Sequence, residues 1–348
     1  MEAHKNDNFD ALRLLAALSV LVSHQFALTG RPEPDLLGLK LGTIGVLVFF
    51  AISGFLVTTS WTRDPHMPRF LARRALRVWP ALAVCVIGCI AFVALVLAPP
   101  HQALAVLPDI AAYLSPNVVF VWRDGNFFRG NPFHELNGSL WTIPVEVQCY
   151  VVLAVLGVVA RRRLPWALLL ASAVVAVLLL CGVRPADWLG NPFFHLQQGT
   201  MLLPAFFLAG ALASAWPFLQ TGRGQAGAIV LGLACAWTGF AGFAWAAILP
   251  TLVLLVGRRS WPVLREAGRG GDLSYGIYLW AWPVQQAGIA LLGADAPFPV
   301  LLNVTLLVVI ALSLASWHLI EKRSLSLKPG ARPDASAATA GVVAPSTT

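Results

Sequence analysis

The segment FDALRLLAALSVLVSH, Phe9 to His24, is apolar enough to enter a membrane, yet it keeps an arginine near its start and a histidine at its end. Because an α-helix turns 100° per residue, the eleven residues from Arg13 to His24 complete three turns and about 20° more. The two side chains therefore project from one face of the helix, about 16 Å apart along its axis. Ionisable groups inside a bilayer are costly and usually face a cavity, so this stripe predicts a functional site.

Two simpler interpretations of the stripe stay open. Arg13 lies near the start of the helix, where its long side chain can snorkel to the membrane surface. His24 can be an interior histidine whose only role is a satisfied hydrogen bond. The occurrence of both residues on one face favours a shared function over either alternative.

The composition of the whole chain is that of a membrane protein. Of 348 residues, 58% are hydrophobic and 11% are charged, whereas soluble domains are about half apolar and about a quarter charged. Several apolar runs approach the roughly 20 residues that span a bilayer. They predict an all-α, polytopic membrane protein with about ten transmembrane helices, at 9–29, 40–61, 79–98, 139–160, 164–182, 198–217, 226–241, 242–258, 271–292 and 298–320.

Lysine and arginine are unevenly distributed along this path. Most of them fall in connections on the same side as the N-terminus, and the positive-inside rule then places both termini in the cytoplasm. The net charge of +8 does not indicate a nucleic-acid partner, because aromatic residues are not interleaved among the arginines. We expect residues 1–325 to form one integral membrane domain and residues 326–348 to form a disordered cytoplasmic tail.

The longest connection on the opposite side, residues 99–138, is rich in hydrogen-bonding side chains. Such a loop suits a sugar substrate, but an ordinary solvated loop with interfacial aromatic residues is the simpler explanation. A surface-lying or partly re-entrant helix at 104–122 also stays open.

Five further segments complete a pattern with the Arg-x10-His of the first helix. In chain order they are GVLVFFAISGFLVTTS, RFLARRALRVWP, SLWTIPVEVQCY, LSYGIYLWAWPVQQ and SWHLIEK. The ordered set resembles the acyltransferase 3 family of integral membrane acyltransferases over about residues 9–325. The resemblance implies a multi-pass enzyme of the bacterial cytoplasmic (inner) membrane. Such an enzyme moves an acyl group, most often acetyl, from cytoplasmic acyl-CoA to a hydroxyl of a surface or exported glycan or glycolipid. Acyl-CoA is then a donor substrate, and no permanently bound cofactor is implied.

The family's functional positions can be carried over one by one. The Arg and His of its first helix fall on Arg13 and His24, which the resemblance implies to be essential. Its acidic residue in the SLWxxPVE segment falls on Glu146. Its Arg-rich segment after the second helix, which we expect to be a cytoplasmic loop, falls on the donor-binding candidates Arg73, Arg74 and Arg77.

The chemistry of these residues agrees with that assignment. A neutral imidazole can take the proton of a sugar hydroxyl that attacks a thioester, and a nearby carboxylate can orient the ring and stabilise the imidazolium. A helix that starts near Ser139 places Glu146 about 10 Å below the outer surface, at a depth similar to that of His24. We therefore predict that the two form a pair, while Glu146 as a sugar ligand or as a structural hydrogen-bond partner stays open. Ser139, Trp141 and Tyr275 are predicted to contact the substrate.

The arginines of the third segment suit the donor. Coenzyme A carries phosphate and pyrophosphate groups, which guanidinium groups bind through paired, charge-assisted hydrogen bonds. The competing explanation is that these arginines enforce topology or bind anionic lipid headgroups.

Three other positions complete the prediction. Ala281 stands in YLWAWPV where many relatives have a histidine, which argues against a direct catalytic role for that position. Ser53 and Gly54, in the middle of the second helix, allow close helix packing or leave room for the acyl arm. His318 and Glu321 are three residues apart but lack the further ligands of a metal site, so no metal is predicted.

Two other functional classes are compatible with the residues alone. A transporter or glycan export channel would use Arg13, His24 and Glu146 to coordinate a moving anion or proton. A structural or sensory membrane protein would tolerate the replacement of His24.

Overall fold

The computed structural model describes residues 8–93, 127–128, 130–182, 201–262, 264 and 271–329. Among these residues, ten helices have at least 14 residues. They are α1 (Phe9–Leu28), α2 (Leu41–Arg63), α3 (Met67–Phe92), α4 (Thr142–Ala160), α5 (Leu164–Leu180), α6 (Leu202–Ala215), α7 (Gly222–Trp237), α8 (Ala241–Gly257), α9 (Ser274–Leu292) and α10 (Phe298–Ser316). A π-helical turn at Trp317–Glu321 leads into the short helix α11 (Lys322–Ser326).

The predicted all-α membrane architecture is confirmed in outline. Each of the ten predicted segments overlaps one of the helices α1 to α10. In the part of the chain that the structure describes, five helical stretches are long and apolar enough to cross a membrane, and α6 and α8 are shorter apolar helices. The number of crossings, about ten, therefore stays a prediction.

The third helix begins twelve residues earlier than predicted, so the expected cytoplasmic loop of arginines is wrong. The side chain of His66 accepts the backbone N–H of Arg69 at 3.3 Å, and Pro68 occupies the first turn of α3. Both features favour a helix start at this point. The arginines that follow are thus held on a rigid helix, and Arg74 and Arg77 lie three residues apart on one side of it.

A break at Arg161 divides the longest apolar stretch, Thr142–Leu180, into two helices. Arg161 has a φ of 48°, which ends α4, and a three-residue 3-10 turn of arginines leads into α5. Both helices pack against α6. The stretch therefore forms two helices, as the sequence predicts.

Small residues bring the central helices together. Helix α2 packs between α1 and α6, and α9 packs against both α1 and α10. A Cβ atom at Gly54 would meet the backbone carbonyl of Phe207, and one at Gly210 would meet that of Ala51. Gly54 therefore serves close packing of α2 on α6, as small residues do between membrane helices.

Large apolar side chains cover the outward faces of the peripheral helices. Only Leu164 and Leu168 are buried on α5, Leu170 is 67% exposed, and Trp237 of α7 is 91% exposed. Soluble proteins rarely expose such extended apolar surface. Lipid tails would cover it, so the surface supports a multi-pass membrane protein.

A short hairpin lies between α1 and α2. Strands β1 (Asp35–Leu36) and β2 (Leu39–Lys40) are antiparallel, and the residues between them, Leu37 and Gly38, have φ values of 51° and 81°. Two positive φ values are typical of the tight turn that joins a two-residue hairpin. The hairpin turns the chain back so that Lys40 faces Glu33. The possible helix at 104–122 and the tail from residue 330 lie outside the described residues.

Candidate active site

Helices α1, α2, α3, α4 and α9 enclose a pocket of about 780 Å³, part of which is open to the surface. Its polar lining comes from each of these helices. The residues are Arg13, Ser53, Arg74, Arg77, Thr142, Glu146, Tyr150, Ser274, Tyr275 and Tyr278. Five of the predicted catalytic, donor-binding and substrate-binding residues thus meet at one pocket, namely Arg13, Arg74, Arg77, Glu146 and Tyr275.

Asp272, just before α9, joins two of the pocket arginines. Its carboxylate lies 2.5 Å from Arg77 and 3.5 Å from Arg13, and it also accepts a hydrogen bond from the Ser274 hydroxyl. Burial alone would raise the pKa of Asp272, but the charges of Arg77 and Arg13 outweigh it and hold the pKa below its usual value. Arg77 also pairs with Glu321 at 3.3 Å. The charges of these two arginines are therefore largely balanced by carboxylates.

Arg74 has no carboxylate partner among the described residues. Its Nε is buried without a hydrogen bond, and its guanidinium lies 6.0 Å from the ring centre of Phe70. The neighbouring Arg73 is bound instead to Asp64 at 2.7 Å, and Arg69 binds the same carboxylate. Hydrogen bonds from these two arginines hold the pKa of Asp64 far below its usual range. Arg74 is thus a pocket arginine whose charge is available for an anion.

Glu146 lies on the pocket wall in a fixed orientation. Its Oε1 accepts hydrogen bonds from the Ser53 hydroxyl at 2.9 Å and from the Tyr150 hydroxyl at 2.5 Å. Tyr150 lies one turn further along α4, and Ser53 reaches across from α2. These bonds lock the carboxylate against the wall and leave α2 and α4 joined at this depth.

Tyrosines of α9 form another part of the pocket lining. Tyr275 donates its hydroxyl to the carbonyl of Val78, and the Arg77 guanidinium lies 5.6 Å from its ring centre. Tyr278, one turn further on, shares a 2.6 Å hydrogen bond with Thr142. Helix α9 thereby presents one aromatic face from the arginines to the far end of the pocket.

His24 lies outside this lining, beside Trp282, which is one turn beyond Tyr278 on α9. Its ring meets that of Trp282 edge-on with the ring centres 4.8 Å apart, and its Nδ1 is buried without a hydrogen-bond partner among the described residues. The predicted hydrogen-bonded pair of His24 and Glu146 is not present, because Glu146 binds Ser53 and Tyr150. The carboxylate whose charge reaches His24 is that of Glu33.

Three other predicted residues do not line the pocket. Ser139 is buried and donates its hydroxyl to the side chain of Asn137 at 2.6 Å. Trp141 packs against the main apolar core, and Arg73 binds Asp64. Ala281 is also buried, in an apolar cluster with Ala17 and other residues, so it offers no polar group at this position.

Sequence reasoning missed the carboxylates that organise the arginines. Asp272 is the second residue of the ninth predicted segment, 271–292, and nothing in its local sequence marks it as a partner of Arg13 or Arg77. Glu321 was considered with His318 only as a metal ligand. It binds Arg77 and Ser316, whereas His318 contacts the carbonyl of Leu314. Among the described residues, no group of three His, Cys, Asp or Glu side chains is placed to hold a metal ion.

Comparison with protein-family models gives a match over most of the chain. Residues 6–319 match the model of the acyltransferase domain that defines acyltransferase 3. The match includes every helix from α1 to α10. No solved structure matches significantly.

Curated relatives agree with this family. The chain is 31% identical to an O-acetyl transferase of Shigella phage Sf6, over 93% of this chain and 97% of the relative. It is 28% identical to nodulation protein 10 of Rhizobium leguminosarum bv. viciae, over 93% and 94% of the two chains. A peptidoglycan O-acetyltransferase of Listeria monocytogenes is 25% identical over 80% of this chain and 49% of its own length. These relatives favour an enzyme over the transporter and the structural protein that the residues alone left open.

Proposed function

The chain belongs to the acyltransferase 3 family of membrane acyltransferases, and on this premise we propose that it carries an acyl group across the membrane from acyl-CoA to a glycan. The donor, most simply acetyl-CoA, enters the pocket from the cytoplasm. The acceptor is a hydroxyl of a glycan or glycolipid that arrives from the other side. Both chain termini then lie in the cytoplasm, and the enzyme resides in the inner membrane of a bacterium.

This proposal depends mainly on one observation: Arg74 lines the pocket without a carboxylate partner among the described residues. A buried guanidinium without a carboxylate partner is costly in the empty protein, and an anionic ligand would balance it. The phosphates of coenzyme A supply such an anion. Arg13 and Arg77 contribute positive charge that Asp272 and Glu321 hold in place.

Lys328 supports a positive potential at this end of the pocket. It follows α11, which packs on α3. Burial and the nearby charges of Arg74 and Arg77 lower the pKa of Lys328 to about 8. A cation that is disfavoured by its cationic neighbours marks a region where an anion is favoured.

The acyl chain and its thioester then extend along the pocket toward His24. Glu146, fixed by Ser53 and Tyr150, accepts hydrogen bonds from the amide groups of the donor's pantetheine arm. The acceptor oxygen attacks the thioester carbon as His24 takes its proton, so that a C–O ester bond forms and the C–S bond breaks. The imidazolium returns the proton to the departing thiolate, which leaves as coenzyme A.

The test is transfer of label from [14C]acetyl-CoA in inverted membrane vesicles of cells that make the protein. The vesicles expose the cytoplasmic face, and alkali-labile label in the glycan and glycolipid fraction reports ester formation. We expect His24→Ala to lower the rate by roughly 100-fold or more, because general bases contribute about that much. We expect Arg74→Ala to lower it by roughly 10- to 100-fold, from the loss of charged hydrogen bonds.

Arg69→Ala is the matched control for Arg74→Ala. Both residues lie on α3, but Arg69 binds Asp64 and does not line the pocket. Its replacement should change the rate less than threefold at equal protein levels. Two results would contradict the proposed function. One is that membranes with the wild-type protein form no alkali-labile label in the glycan and glycolipid fraction. The other is that label crosses the vesicle membrane without becoming attached to glycan.

A further inference from the structure

Glu33 lies beside His24 on the loop that follows α1. Its Oε2 accepts the Ser23 hydroxyl at 2.7 Å, and its Oε1 lies 2.6 Å from the ammonium group of Lys40. Ser23 immediately precedes His24 on α1, so this bond fixes the carboxylate at the end of the helix that carries the imidazole. The Glu33 side chain is only 14% exposed, and its charge is therefore screened less than that of a surface carboxylate.

We propose that Glu33, and not Glu146, is the carboxylate that stabilises the charged imidazole of His24 during transfer. This inference rests on the proposed function, and it assigns Glu33 as a positioning residue that touches neither substrate. Glu146 belongs to the donor pocket, where Ser53 and Tyr150 hold it.

The role of Glu33 is electrostatic. Both of its oxygens are already bound, one by Ser23 and one by Lys40, so the carboxylate acts on His24 through its field. Burial alone would raise the pKa of Glu33, but the hydrogen bonds from Lys40 and Ser23 outweigh it and keep the pKa below its usual value. The carboxylate is consequently charged at neutral pH.

Other side chains near His24 could also affect the charge of its imidazole. Trp282 holds the ring edge-on and donates its indole N–H to the backbone carbonyl of Glu135 at 3.2 Å. Gln285 of the same helix bonds to the carbonyl of Leu21 and carries no charge. The titratable or charged described residues on the segments around this end of α1 are Arg31, Glu33, Asp35 and Lys40 between α1 and α2, His134 and Glu135 before α4, and Asp295 before α10.

The reaction step shows why a fixed negative charge matters. When the acceptor oxygen forms its bond to the thioester carbon, its proton moves to His24 and the imidazole becomes positive. That charge lasts until the proton passes to the coenzyme A thiolate. A carboxylate in reach lowers the energy of this intermediate state and makes the imidazole a stronger base.

The experiment measures [14C]acetyl transfer between pH 3.5 and 8 in the same vesicles, with an ionophore that equalises the pH on both sides. The rate should rise with pH along an acidic limb as His24 loses its proton. In Glu33→Gln we expect this limb to move about one unit toward lower pH, with a plateau rate roughly 10-fold lower. In Lys40→Met the limb should move toward higher pH, because the Glu33 charge is no longer balanced.

Two further variants separate this role from others. Glu146→Gln should lower the rate and leave the position of the limb unchanged, and Glu135→Gln should also leave it unchanged. A purely structural role for Glu33 predicts lower protein levels with the wild-type limb. If Glu33→Gln does not fold, Lys40→Met still decides, since a limb that stays in place in that variant overturns the inference.

The outcomes also separate this inference from the proposed function. Absence of acetyl transfer by the wild-type protein rejects the function itself. If the wild-type protein transfers acetyl groups, but the acidic limb moves in Glu146→Gln and not in Glu33→Gln, the proposed function stands. The carboxylate that stabilises His24 is then Glu146.

Discussion

The pocket around Arg74 and the cluster around His24 hold their charges in contrasting ways. The pocket draws Arg13, Arg77 and Asp272 from distant parts of the chain and balances them across helices. The cluster draws Ser23, Glu33 and Lys40 from a single helix end and the hairpin beside it. A network between helices can form only when the bundle has assembled, whereas a local network forms wherever its own segment folds.

This difference predicts unequal sensitivity to substitution. Arg77 and Asp272 are largely buried, with side chains 20% and 12% exposed, while Lys40 is 63% exposed. Loss of one partner from a buried pair leaves an unbalanced charge and is costly. Loss of an exposed partner costs far less, because water and salt replace it.

The largest expected effect is that of Asp272→Asn. Arg77 and Arg13 lose their shared carboxylate, and we expect the free energy of unfolding to fall by about 3 kcal/mol, measured by denaturant titration in detergent micelles. Acetyl transfer should fall by roughly 100-fold, since that energy also holds the arginines in place. Asp295→Asn is the control, because Asp295 is exposed in the loop before α10. Equal free energies of unfolding for the two variants would show that the buried network between helices is no more sensitive to substitution than an exposed site.

Tyr150→Phe should have an intermediate effect. It removes the 2.5 Å hydrogen bond to Glu146 while the Ser53 bond remains. A hydrogen bond to a charged group contributes about 1.5–3 kcal/mol, so kcat/KM for acetyl-CoA should fall by roughly 10-fold or more. The acidic limb of the pH profile should stay in place. A limb that moves in this variant would couple the pocket to His24 and weaken the separation of the two regions.

The smallest expected effect concerns the hairpin at low pH. Because the pKa of Glu33 is lower in the folded protein than its ordinary value, its bonds stabilise the fold above that ordinary value. Their contribution disappears as the pH falls through the folded value. Between pH 6.5 and 4, amide exchange in residues 29–41, corrected for its intrinsic rate, should accelerate by roughly two- to threefold. Glu33→Gln should show the faster exchange at both pH values. If exchange in Glu33→Gln still changes with pH, a group other than Glu33 is responsible for the effect.

The prediction from the sequence was most accurate where the pattern is local and repetitive. Apolar runs of helical length located all ten helices, because a spanning segment must satisfy its backbone internally and present apolar side chains to lipid. The start of the third helix was placed too late in the sequence, because the apolar run that predicted it begins only after the arginines. The His66 cap and Pro68, which start that helix, are visible in the sequence and were overlooked.

The candidate site was predicted in part. Arg13, Arg74, Arg77, Glu146 and Tyr275 do meet at one pocket. His24 and Glu146 are not hydrogen-bonded to each other in the structure, because equal depth in the membrane does not place two side chains on facing sides of neighbouring helices. Glu33 lies only nine residues from His24, but its approach depends on a hairpin whose turn at Leu37 and Gly38 reverses the chain.

The sequence by itself determined that this chain is a helical membrane protein, which family it belongs to, and which arginines and carboxylates are unusual enough to matter. These properties follow from composition and from short motifs, which can be read without knowing where each residue lies in the fold. Only the tertiary structure decided which charge faces which. Asp272 neutralises Arg77 and leaves Arg74 unpaired, and Glu146 faces Ser53 and Tyr150, because electrostatic and hydrogen-bond energies depend on distance and orientation across helices.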